Sequence, residues 1–167
     1  MSQRRSGWPR HLSDMAHEIL YSWRADPAVP AFPDDQGPVL FVDGACMLCT
    51  VWVRFAVRHD RDGIFRFCPV QSPLGRAVLT HHGLDPADPQ SWLCLHEGRA
   101  YAGMTAIAVA LRLMAGWPRL LAPLLMLPPA SLRRWLYARI ARNRYRLLGR
   151  TDLCAVPDAA LKARMIG

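Results

Sequence analysis

Val39-Leu40-Phe41-Val42-Asp43-Gly44-Ala45-Cys46-Met47-Leu48-Cys49 passes from an unbroken apolar run, through an Asp-Gly-Ala turn, into two cysteines spaced C-x-x-C. A short apolar run bounded by turn residues is the pattern of a buried strand. Thr50 to His59 follows with Val51, Trp52, Val53, Phe55, Ala56 and Val57 apolar and Arg54 and Arg58 four apart. That spacing predicts a helix with one wet edge, despite its β-branched residues. The cysteine pair therefore sits where a strand turns into a helix.

Downstream, Asp60 to Gly63 supplies turn residues and Ile64 to Val70 reads as a second strand ended by Pro69. Leu74 to His82 is a short amphipathic helix. Trp92 to Leu95 and Arg99 to Ala102 flank Glu97-Gly98, a hairpin signal. Thr105 to Ala115 is an apolar helix with Thr105 as N-cap and Gly116 past its end. The order strand, helix, strand, helix, hairpin, helix makes an α/β unit.

Beyond it, Leu120 to Leu127 predicts a short apolar helix, and Ser131 caps a longer one to about Leu148. On that helix Leu132, Trp135, Leu136, Ile140 and Leu147 form an apolar stripe. Upstream, Met1 to Pro38 holds five of the fourteen prolines around one helical piece, Leu12 to Trp23, whose Leu12, Met15, Ile19, Leu20 and Trp23 give it a face to dock. The chain divides into an arm over 1–37, a core over 38–116 and a basic helical extension over 117–167 packed on the core.

The 167 residues, 51% apolar and 20% charged, suit one folded domain with extensions and exclude a disordered chain. Pro118, Arg119 and Pro123 interrupt the most apolar region, so a membrane span is disfavoured. Arg4, Arg5 and Arg10 precede no apolar core of signal type, and five cysteines is an odd number. A disulfide framework is therefore disfavoured, and the expected compartment is the reducing cytoplasm.

At a helix N-terminus, unpaired N–H groups and the macrodipole favour an anion, so Cys46 is expected to have a lowered pKa and to act as the attacking thiol. Cys49, three residues along the same face, is expected to resolve the resulting mixed disulfide. Asp43 beneath the turn can take the Cys49 proton if burial raises its pKa; the alternative is that it only caps the Gly44 turn or the helix. Two other readings of the cysteine pair stand beside this one: a zinc site and inert core thiols. Zinc needs two more ligands at suitable spacing, and only Cys68, His81 and His82 lie near downstream, so neither metal nor cofactor is expected. Cys68 and Cys94 fall in predicted strands as core residues, and Cys154 follows the last long helix.

The run Val39 to Cys49, with Phe67 to Gln71 downstream and Gly103 entering a helix, resembles the DCC family of thiol-disulfide oxidoreductases. The similarity covers about Pro38 to Cys154, and the family's Asp-x-x-Cys-x-x-Cys segment is matched by Asp43, Cys46 and Cys49 position for position. The resemblance implies a thioredoxin-like fold, in keeping with the element order, and a redox function. Such a site usually sets a cis-proline just before the third strand; Pro89 is the nearest candidate, three residues ahead of Trp92.

The expected partners are a protein or small-molecule disulfide substrate and an external thiol reductant. The charge adds a further candidate. Residues 1–111 carry a net −1 and residues 112–167 a net +9, which suits an anionic membrane surface. On the alternative reading the protein is a membrane-surface or protein-binding module of thioredoxin-like fold without redox turnover. Simple packing instead expects Leu132, Trp135, Leu136 and Ile140 to be buried against the domain. No nucleic-acid motif accompanies Arg142-Asn143-Arg144-Tyr145-Arg146, so nucleic acid is disfavoured.

Overall fold

The computed structural model describes residues 20–33, 35–87, 92–149 and 159–167. The apolar run forms β1 (Val39–Val42), all four residues of it buried, as a strand covered on both faces must be. A turn leads into α1 (Met47–His59), then β2 (Arg66–Pro69) and α2 (Pro73–His81). The hairpin is β3 (Leu93–His96) and β4 (Arg99–Ala102), followed by α3 (Gly103–Leu113). The C-terminal helices are α4 (Leu121–Met126), preceded by a 3-10 turn over Trp117–Leu120, then α5 (Ala130–Leu148) and α6 (Ala159–Lys162).

The four strands lie in the order β2-β1-β3-β4, with β1 parallel to β2 and antiparallel to β3, and β3 antiparallel to β4. This is the arrangement of a thioredoxin-like α/β fold. Strand alternation divides the interior in two. Leu40, Val42, Phe67 and Cys94 meet Val53 and Ala56 of α1 and Ala106 and Ala110 of α3 on one face. Val39, Phe41, Cys68, Leu93 and Leu95 meet Leu74, Val78 and Leu79 of α2, with Trp23, on the other. Helices thus cover both faces of the sheet.

Several boundaries differ from the sequence reading. Helix α1 starts at Met47, three residues early, because the C-x-x-C itself forms its first turn. Helix α3 starts at Gly103, so Thr105 lies inside it and Ala102 takes the N-cap position. Likewise Pro129, not Ser131, precedes α5, since a proline already has the φ that a helix entry needs. Ser72, which the sequence reading did not name, caps α2, its Oγ accepting the Gly75 N–H at 3.0 Å. Glu97 and Gly98 both have positive φ, 47° and 77°, the conformation that a two-residue hairpin turn demands.

Of the predicted helix Leu12 to Trp23, residues 12–19 lie outside the described residues; Ser22–Ala25 forms a 3-10 turn that buries Trp23 in the α2-side core. His81 holds this segment, its ring nitrogens 2.6 Å from Asp26 Oδ2 and 2.9 Å from Ser22 Oγ. At the other end, Met165 bridges Phe67 and the Ile166 N–H bonds Phe67 O at 2.9 Å, lining the open edge of β2. Among the described residues, no helix is long and apolar enough to cross a membrane.

Candidate dithiol site

Cys46 is the N-cap of α1, with φ −106° and ψ 120°, and its carbonyl accepts the Thr50 N–H at 3.0 Å and the Thr50 hydroxyl at 3.2 Å. Thr50 thereby fixes the first turn twice. Cys49 follows one turn on, so the two side chains adjoin at the helix N-terminus. Both thiols are free and buried, Cys46 completely and Cys49 with 8% exposure.

Asp43 leaves the end of β1 directly beneath this turn. Its Oδ1 accepts the Ala45 N–H at 2.9 Å and Gln71 Nε2 at 2.6 Å, and Gln71 Oε1 accepts the Gly44 N–H at 3.1 Å. Its Oδ2 accepts from the Arg144 guanidinium and from the Tyr145 hydroxyl. Arg144 also points Nη1 at Cys49 Sγ, 3.7 Å away. A buried arginine from α5 thus bridges the carboxylate and the Cys49 thiol; its side chain is 7% exposed and that of Asp43 5%.

The electrostatics follow from these contacts. A hydrogen bond from the Cys49 thiol brings Cys46 down to about 6; burial opposes it, while the Cys49 backbone N–H and the Arg144 charge assist. Donating that bond drives Cys49 strongly upward, with burial adding to it and Arg144 opposing. The pair is asymmetric because Cys49 donates the hydrogen bond and Cys46 accepts it.

Asp43 departs from the expectation. Burial does push its carboxyl up, but the Tyr145 hydroxyl, the Ala45 N–H, the Arg144 charge and Gln71 together outweigh burial and hold it below the usual carboxylate range. It is an ion-paired anion at neutral pH, not a protonatable base. Its bond to Ala45 N–H also makes it a cap of the Gly44 turn.

The remaining cysteines stand apart. Burial pushes Cys68 on β2 up to about 11, against a hydrogen bond with Ser72, and pushes Cys94 on β3 to about 12. Cys154 and Pro89 lie outside the described residues. Among the described residues, no three His, Cys, Asp or Glu side chains cluster to hold a metal ion. Three members of the site, Gln71, Arg144 and Tyr145, were not singled out as site residues in the sequence. Arg144 and Tyr145 looked like part of a solvated basic run, and nothing in their local pattern marks one arginine of that run as buried.

A family model described as DCC1-like thiol-disulfide oxidoreductase matches residues 40–150. The chain belongs to this family. The match takes in β1 from Leu40, Asp43, Cys46, Cys49, Gln71 and α5 with Arg144 and Tyr145, so the site lies wholly within it. The DCC1-like chain is 33% identical over 128 residues, 77% of its length and 93% of the relative's, to an uncharacterized protein of Bacillus subtilis, YuxK. It is 34% identical over 124 residues, 74% of its length and 72% of the relative's, to a DCC family protein of Arabidopsis thaliana described as chloroplastic. No solved structure matches the chain.

Proposed function

We propose that the protein is a thiol-disulfide oxidoreductase in which Cys46 attacks and Cys49 resolves. The observation that carries this reading is the placement of two free thiols at the N-terminus of α1 beside the buried Arg144, whose guanidinium reaches Cys49 at 3.7 Å. The Cys46 thiolate attacks one sulfur of a substrate disulfide. The substrate S–S bond breaks, its other sulfur leaves as a thiolate, and a Cys46–substrate mixed disulfide forms.

Once the Cys46 sulfur is in that bond it no longer accepts the Cys49 hydrogen bond, which is the largest influence holding the Cys49 proton. Arg144 then favours the Cys49 thiolate. It attacks Cys46, its proton passes to the departing substrate thiolate, and the Cys46–Cys49 disulfide closes. The substrate has gained two electrons, and an external thiol donor returns them to the pair. Asp43 acts by anchoring Arg144 and Tyr145 at the dithiol and by fixing the Gly44 turn.

Cys46 is fully covered in this conformation, so substrate attack follows a local opening. The Met47 N–H donates to Gly149 O at 3.4 Å, which joins the start of α1 to the end of α5. The same burial favours the competing reading, a binding module with inert thiols. We place the reaction in the cytoplasm, where thiols such as the four free ones described stay reduced.

Turnover separates the two readings. The protein should accelerate reduction of a disulfide-bonded test protein by dithiothreitol, and Cys46→Ser should abolish the acceleration. No acceleration by the unmodified chain would leave the inert module standing.

A further inference from the structure

Helix α5 packs on α1 and α3 through Tyr137, Ala141, Arg144 and Tyr145, and leaves Leu132, Trp135, Leu136 and Ile140 of its apolar stripe exposed; the Leu147 side chain lies outside the described residues. Leu132, Trp135, Leu136 and Ile140 are 48%, 60%, 41% and 39% exposed, the opposite of what packing on the core requires. The neighbouring α4 adds Leu124 at 65%, and Leu127, just past its end, is 82% exposed. Between α3, α4 and α5 runs a groove of 440 Å³ lined by Met104, Leu121, Leu124, Leu125, Leu132 and Leu136, with Arg133 among its walls. Contiguous apolar surface of this kind marks an interaction site.

The charge around it selects the partner. No Asp or Glu occurs between Arg112 and Gly149, while Arg119, Arg134, Arg139, Arg142 and Arg146 are all exposed on the elements that carry the leucines. We propose that the α4–α5 face docks the protein on an anionic phospholipid surface. The protruding Leu124, Leu127 and Trp135 enter the headgroup and acyl boundary while the arginines pair with lipid phosphates. A protein partner would have to supply a uniformly acidic rim around an apolar ridge; an anionic bilayer presents that chemistry at every point. The proposal stands apart from the dithiol reaction, and Cys46→Ser should bind vesicles as the unmodified chain does.

The test is co-sedimentation of the full chain with vesicles of phosphatidylcholine mixed with phosphatidylglycerol, and with vesicles of phosphatidylcholine alone. Binding should occur with the anionic vesicles and weaken by about tenfold or more as salt rises. Replacing Arg119, Arg139, Arg142 and Arg146 by Gln should remove it, and so should Leu124→Ser with Leu127→Ser, both variants keeping the native circular dichroism because every altered side chain is exposed. Absence of binding at low salt overturns the proposal, as does equal binding to neutral vesicles. A dimer in solution that Leu124→Ser with Leu127→Ser dissociates, without vesicle binding, assigns the face to a second copy and also overturns it.

Discussion

Helix α5 presents two faces that reverse the usual partition of side chains. Its inner face buries a charge, Arg144, against Asp43 and Cys49, whereas its outer face exposes Trp135 and Leu132 to water. An arginine is seldom buried unless paired, and a tryptophan with two leucines is seldom left on one exposed stripe. Folding stability alone favours neither arrangement. Each makes sense in chemical terms: a fixed positive charge beside a thiol pair inside, and an apolar basic surface for a partner outside.

The comparison is broken most forcefully at Arg144. Arg144→Met leaves the Asp43 carboxylate buried without its cation and should cost about 3 kcal/mol or more in denaturant unfolding. Arg142→Met, two residues away on the exposed face, should stay within about 0.5 kcal/mol. Equal losses would mean that the two faces do not differ as described. Arg144→Met should also move the pH midpoint of Cys46 alkylation upward from about 6, because the guanidinium helps hold the thiolate.

Acid sharpens the same contrast with a smaller effect. The folded pKa of Asp43 lies below its ordinary value of 3.8, so its contribution to stability is complete above that value and is lost as pH falls through the folded pKa. Asp43→Asn should therefore be less stable than the unmodified chain at neutral pH, with the gap narrowing below about pH 4, where the wild-type carboxyl also becomes neutral. A gap independent of pH would remove the ion pair from the account. On the outer face, Leu124→Ser with Leu127→Ser should leave unfolding within about 0.5 kcal/mol, as exposed positions allow. The smallest effect belongs to Cys68 and Cys94, whose thiols sit at about 11 and 12 and should escape alkylation at pH 8 in the native protein.

Local pattern carried much of this fold. The Val39–Val42 run, the Glu97-Gly98 turn and the apolar spacing of α1 each encode their element within a few residues, and the cysteines can be placed at a helix start from that alone. The site was legible on its near side only. Asp43, Cys46 and Cys49 lie within seven residues of one another, but Arg144 and Tyr145 arrive from about a hundred residues away, and their pairing depends on how α5 lies on α1. The condition on which Asp43 would take a proton turns on the same distance in sequence: its burial follows from the local pattern, whereas the cation and hydroxyl that overcome burial come from α5. The face of α5 was equally hidden, since Tyr137, Ala141, Arg144 and Tyr145 make the inner contact while Leu132, Trp135, Leu136 and Ile140 are exposed.

The central claim, that Cys46 attacks and Cys49 resolves, is tested most directly by trapping. Each single Cys→Ser variant is incubated with glutathione disulfide and its mass is read intact. Cys49→Ser should accumulate a mixed disulfide on Cys46, Cys46→Ser should accumulate none on Cys49, and the unmodified chain should proceed to a Cys46–Cys49 disulfide with two glutathione thiols released. Equal adducts on both variants, or none on Cys49→Ser while the same thiol reacts in the unfolded chain, would contradict the assignment.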